Sequence, residues 1–138
     1  MQIRQITPRY SVSPQINPED LAAIKAAGFT KVICNRPDEE NPPSHHATVM
    51  EVAAQQAGLD FFVLPLTHQT MTPENIAVQM AAVDASDGPV LAYCASGTRC
   101  SVVWALSQTG QMPVDQILET TQRAGYDLSG LRPRLEQG

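Results

Sequence analysis

The sequence predicts an α/β fold, a three-layer sandwich whose central, mostly parallel sheet of four to five strands carries helices on both faces. Two observations lead there. Short apolar, β-branched runs recur along the chain, and segments with helical spacing and clear start and stop signals lie between them. The runs are apolar throughout and do not alternate, which suits strands covered on both faces of a parallel sheet. One domain is expected over residues 1–138, a length that a single core can serve.

Taken in order, Tyr10-Ser11-Val12-Ser13 reads as an edge strand. Asn17-Pro18-Glu19-Asp20 then offers an N-cap, a proline at the first helical position and acids in the first turn. Lys31-Val32-Ile33-Cys34-Asn35 is the next strand, followed by an acidic, proline-containing surface loop at Asp38-Glu39-Glu40-Asn41-Pro42-Pro43. Ser44 is placed to cap a helix carrying Val49, Val52, Ala53 and Ala57, and Phe61 to Pro65 is a further strand. Thr72-Pro73-Glu74-Asn75 repeats the helix-start pattern, Pro89 to Cys94 is the last strand, and Cys100 to Leu106 reads as a buried helix. Pro113 opens a helix with Ile117, Leu118 and Thr121 on one face. Three helices are expected to stop alike, at Ala27-Gly28-Phe29, Ala57-Gly58-Leu59 and Ala124-Gly125-Tyr126. There a left-handed glycine lets the chain turn back, and the following apolar residue packs on the last turn. Trp104, Met50 and Met80 fall in apolar helical patterns and are expected in the core.

Nine Lys and Arg stand against fourteen Asp and Glu, a formal charge of −5, which argues against a nucleic-acid partner or an acidic membrane surface. No run of about 18 apolar residues is available to span a bilayer, and the amino-terminal residues lack a signal-peptide core. Three cysteines are too few for a disulfide framework and fit a reducing compartment, so a cytoplasmic location is expected. His45 and His46 are adjacent and diverge by about 100° on a helix, and no other Cys–His spacing suits zinc. No metal and no cofactor are expected.

The chemistry concentrates in Cys94-Ala95-Ser96-Gly97-Thr98-Arg99, where a strand runs through a small-residue loop into a helix. Ligands bind outside the carboxyl ends of strands in open parallel sheets. Small residues let backbone N–H groups converge, and the helix start adds positive potential, so Ala95, Ser96, Gly97 and Thr98 can cradle a small anion or phosphorylated substrate. Arg99 brings a planar fork of donors for two oxygens, and the same field favours a thiolate at Cys94. A thiolate facing a bound oxyanion is a nucleophile set for covalent transfer.

These residues resemble the bacterial phosphatase-like domain family that includes the amino-terminal domain of beta-lactamase-hydrolase-like proteins, relatives of the dual-specificity tyrosine phosphatases. The resemblance covers nearly the whole chain. It runs through Ser13-Pro14-Gln15, Val32 to Pro37, Phe62 to Pro65, Tyr93 to Arg99 and Ala124 to Leu128. It implies a tyrosine-phosphatase-like fold, a nucleophilic Cys94 that forms a thiophosphate, and an oxyanion clamp at Arg99. Two departures accompany it. Only four residues separate Cys94 from Arg99, where tyrosine phosphatases place five, and this length resembles the rhodanese sulfurtransferases. Cys100 stands where phosphatases usually carry a Ser or Thr that stabilises the leaving thiolate.

The segment Pro65-Leu66-Thr67-His68-Gln69-Thr70-Met71 lacks the carboxylic acid of such phosphatases. His68 is a candidate proton donor, and Asp38, Glu39 and Glu40 are candidates to reach the same rim from the neighbouring loop. Arg36 either enlarges the anion site or pairs with the acidic loop. Cys34 ends its strand as Cys94 does, so it is either an inert buried thiol or the partner of a reversible disulfide. Three functions are thereby compatible with the residues: a cysteine-dependent phosphomonoester hydrolase, a sulfurtransferase carrying a persulfide on Cys94, and a non-enzymatic module for anions or phosphorylated residues.

Overall fold

The computed structural model describes residues 1–137. Five strands form one sheet: β1 (Arg4–Thr7), β2 (Tyr10–Ser13), β3 (Lys31–Cys34), β4 (Asp60–Val63) and β5 (Val90–Tyr93). Their spatial order is β1-β2-β5-β3-β4, with every pair parallel except β1 with β2. β5 is thus central, and the motif that follows it starts at the carboxyl ends of two parallel neighbours. The three-layer α/β sandwich expected from the sequence is the observed architecture.

The pleat divides the core into two. Val90, Ala92 and Cys94 project with Val12 and Ile33 into one cluster, while Leu91 and Tyr93 project with Val32 and Cys34 into the other. The second cluster is closed by α1 (Leu21–Ala26) and α2 (Ala47–Ala57), through Leu21, Ile24, Met50 and Ala54. The first is closed from the other side by α3 (Pro73–Asp84), α4 (Thr98–Ser107), α5 (Val114–Arg123) and α6 (Arg132–Gln137), with Trp104, Ile117 and Leu135 in contact. Trp104 and Met50 are core residues as expected, and Met80 packs against the core from a half-buried position. The glycine stops also hold: Gly28, Gly58 and Gly125 have φ of 105°, 82° and 100°. The N–H groups of Leu59 and Tyr126 reach back to the carbonyls of Ala54 and Thr121.

Three local expectations are corrected. Tyr10–Ser13 is not an edge strand, because Arg4–Thr7 turns back on it as an antiparallel partner. The polar run Arg4-Gln5 masked that strand, which buries only Ile6. β4 is the edge on the opposite side, with Phe61 and Phe62 half-buried, so it is not covered on both faces. Ser44 does not cap α2. It lies in a 3-10 turn over Pro43–His45, and its hydroxyl bonds His45 Nδ1 at 2.8 Å. The free N–H of Ala47 at the head of α2 is instead taken by Asp38 Oδ1 at 2.8 Å.

Candidate active site

β5 delivers Cys94 to the floor of a loop that ends at Gly97, and α4 begins at Thr98. Cys94 is buried, and the Gly97 N–H points at its sulfur at 3.1 Å. Gly97 is required twice over. Its φ of 92° is left-handed, and a Cβ there would collide with the Tyr126 hydroxyl. That hydroxyl donates to Ser96 O at 3.0 Å, so the glycine stop after α5 brings a tyrosine to brace the loop from behind. Ser96 Oγ donates to Thr98 Oγ1 at 2.9 Å, and Ser101 Oγ donates to Gly97 O at 2.9 Å. Both sides of the loop are therefore tied to the first turn of α4.

The Cys94 thiol is acidified to about 5. The thiol of Cys100 contributes most, burial opposes it, and the N–H groups of Cys100, Gly97 and Ser96 add to the stabilisation. Among them the Gly97 N–H makes a well-formed hydrogen bond to the sulfur. Cys100 responds in the opposite sense: burial and the neighbouring Cys94 hold its own thiol well above the ordinary range. Cys100 is thus held as a neutral thiol beside Cys94.

Arg99 sits on the first turn of α4, and Glu40 first, with Cys94 after it, raises its already high pKa. Its Nη1 donates to Leu66 O at 2.9 Å and to Glu40 Oε2 at 2.9 Å, and Nη2 donates to Glu40 Oε1 at 2.7 Å. The Arg99 and Arg36 guanidinium groups hold the Glu40 carboxyl below its ordinary range. Arg36 takes the second of its two expected roles: it pairs with the acidic loop through Glu40 Oε1 at 3.4 Å and Glu40 O at 3.0 Å. It also donates to Gln15 Oε1 at 3.3 Å.

Other expectations resolve by position. Asp38 accepts from Ala47 N at the head of α2 and is not among the residues lining the cavity beside Arg99. His68 is exposed and lines a cavity of about 400 Å³ together with Glu40, Thr98 and Arg99. Cys34 pairs in register with Tyr93 and lies in the opposite core layer from Cys94, so the pleat separates the two sulfurs and the reversible disulfide is set aside. Burial raises the Cys34 thiol pKa, in keeping with an inert residue. No group of three or more His, Cys, Asp or Glu among the described residues could hold a metal ion.

The sequence reading missed a buried ring of hydrogen bonds beneath the site. Tyr10 Oη donates to Cys100 O at 2.8 Å and accepts from Gln79 Nε2 at 3.2 Å. The Gln79 and Asn35 side-chain amides bond reciprocally at 2.8 and 2.9 Å, and Asn35 Nδ2 reaches Leu64 O at 2.9 Å. Leu66 N donates to Asn35 O at 2.8 Å, while Leu66 O receives Arg99. The ring therefore starts at Cys100 and returns to Arg99, and it fixes the start of α4 against the ends of β3 and β4.

A tyrosine-phosphatase-like fold with a Cys–Arg loop at its central strand is the class that this architecture defines. The chain belongs to the beta-lactamase hydrolase-like protein, phosphatase-like domain family, whose model matches residues 2–111. It is 31% identical over 130 residues to a beta-lactamase hydrolase-like protein of Xylella fastidiosa, covering 93% of this chain but only 30% of that protein. A crystallised phosphatase candidate from Neisseria meningitidis superimposes with a TM-score of 0.90 at 32% identity, covering 99% of this chain and 98% of the other. TpbA of Pseudomonas aeruginosa, crystallised with pTyr, shares the fold at 18% identity and a TM-score of 0.66, over 99% of this chain and 91% of its own. The chain is thus phosphatase-like in family and in fold. No helix among the described residues is long and apolar enough to cross a membrane.

Proposed function

We propose that the chain hydrolyses phosphomonoesters through a thiophosphate on Cys94. The observation that carries this reading is the acidified Cys94 sulfur, facing the Gly97 N–H and lying beside Arg99. The thiolate attacks phosphorus, forming an S–P bond as the P–O bond to the leaving alcohol breaks. The loop amides and Arg99 hold the equatorial oxygens, whose charge they meet without reorganising. His68 gives a proton to the departing oxygen. Among the ionisable groups on the cavity wall, the arginines stay charged and Glu40 is held as a carboxylate, which leaves His68 for this duty. Water then cleaves the S–P bond and releases inorganic phosphate, and the Cys100 thiol steadies the returning thiolate.

The test is Cys94→Ser with 4-nitrophenyl phosphate. Turnover is expected to disappear in the variant, while the parent, quenched in acid during turnover, carries one phosphoryl group on the Cys94 peptide. Equal turnover by parent and variant would sink the nucleophile assignment. The four-residue loop and the burial of Cys94 favour one other reading, sulfur transfer, because a persulfide needs less room than a phosphoryl group. That reading requires a gain of one sulfur on Cys94 when thiosulfate is supplied.

A further inference from the structure

Beyond the anion cradle, the cavity beside Arg99 has a second arginine on its wall. Its wall combines Thr98 and Arg99 with the apolar side chains of Met71, Val102 and Leu131 and with Arg134, which also borders a neighbouring cavity. Arg134 belongs to α6, and its Nη2 donates to Met71 O at 3.0 Å, which ties the guanidinium to the loop that follows β4. Among the described residues this is the only hydrogen bond of that guanidinium, so most of its donors stay available. The charges on the wall do not balance within the cavity. Two arginines face one carboxylate, Glu40, and Glu40 is already shared between Arg99 and Arg36. A volume of about 400 Å³ is of the size that takes a small organic ligand.

We propose that Arg134 is a specificity-determining residue that selects phosphomonoesters whose alcohol part is apolar and ends in a second anionic group. This rests on the phosphomonoester reading of the Cys94 loop. The phosphoryl group meets the loop and Arg99, the apolar part lies along Met71, Val102 and Leu131, and the distal anion meets Arg134. A neutral alcohol of the same shape fills the apolar wall but leaves the Arg134 charge without a partner, so the difference between the two ligands is electrostatic and salt-sensitive.

The test measures equilibrium binding of two phosphonates that cannot be hydrolysed, 4-(phosphonomethyl)phenylacetate and its primary amide. At low ionic strength the parent is expected to bind the acid about fivefold more tightly than the amide, the upper range for one exposed ion pair. In Arg134→Gln the ratio falls toward one, and in Arg134→Lys, which restores the charge, most of it returns. Equal affinities in the parent, or a ratio unchanged in Arg134→Gln, would overturn the proposal, as would failure of the acid to bind. Turnover of the matching phosphate esters is scored separately. Its absence sinks the hydrolase reading and leaves the affinity ratio standing, whereas turnover with equal affinities sinks only the role of Arg134.

Discussion

Glu40 and Arg99 meet as a two-pronged ion pair, with Nη2 on Oε1 at 2.7 Å and Nη1 on Oε2 at 2.9 Å. An arginine fork offers five N–H donors. Glu40 and Leu66 O occupy both donors of Nη1 and one of Nη2. What remains is Nε–H and the second Nη2–H, which lie on one edge of the fork and suit two oxygens of a phosphoryl group. In the proposed mechanism Glu40 is therefore a positioning residue that fixes the Arg99 fork and leaves one edge of it free for an anion.

Glu40→Gln is therefore expected to lower kcat/KM for an aryl phosphate by about 10- to 100-fold, the scale of a small misplacement of a clamp. The amide can still accept one hydrogen bond, so the fold is retained. Steady-state kinetics separates the two senses of the contact. A lower KM in Glu40→Gln would show that the carboxylate blocks the fork, contrary to the positioning role.

The Cys94 thiolate should be visible in an ultraviolet titration, with a midpoint near 5 in the parent and no such transition in Cys94→Ser. Cys100→Val, which removes the neighbouring S–H donor, is expected to raise the midpoint, and Cys100→Ser to keep it low. The same shift links to stability. A thiol depressed from about 8.5 in the unfolded chain to about 5 in the folded one stabilises fully above the unfolded value. That contribution is lost as pH falls through 5, so the stability of the parent should decline relative to Cys94→Ser between pH 8.5 and 5. A midpoint at the ordinary thiol pKa in the parent would overturn the assignment.

The Asp38 carboxylate caps α2, so Asp38→Ala is expected to cost about 1 kcal/mol in chemical unfolding. Turnover of an aryl phosphate should stay at the parent level. A loss of 100-fold or more would restore Asp38 to the rim as a proton donor.

How much of this was legible depends on the range of the signal. The helix stop at Gly125 is written in three adjacent residues, and the cradle in six, from Cys94 to Arg99. Strand β1 was not legible, because Arg4 and Gln5 point to solvent and only Ile6 marks a buried face. The Glu40–Arg99 pair joins residues 59 apart. The acidic loop reads from sequence as a solvated surface loop whose acids could reach the rim, and which of the three turns inward depends on Asp38 being taken by the head of α2. Asn35 and Gln79 carried a faint signal, polar residues closing an apolar strand and interrupting an apolar helix. Their pairing required the sheet order to be known.

Gln79→Leu tests the buried ring directly. The substitution puts an apolar side chain of similar bulk in place of the amide and leaves the Asn35 amide and the Tyr10 hydroxyl each short of a partner. Leaving such buried groups unmatched typically costs about 1–3 kcal/mol each, so a fall of about 2–4 kcal/mol in unfolding free energy is expected. Because Leu66 O and Cys100 O are both held by the ring, turnover of the folded fraction should fall as well. Unchanged stability would mean that the ring is not coupled to the start of α4.

His68→Gln bears on the one step for which the loop offers no carboxylic acid. A proton donor matters in proportion to how poorly the leaving oxygen bears negative charge, so phenyl phosphate and 4-nitrophenyl phosphate should respond differently. With phenyl phosphate the variant is expected to lose about 100-fold in kcat, within the usual contribution of a general acid. With 4-nitrophenyl phosphate the loss should be severalfold at most, because the nitrophenolate departs without protonation. Equal losses on both esters would mean that His68 shapes the cavity wall without donating a proton, and the leaving group would then take its proton from water.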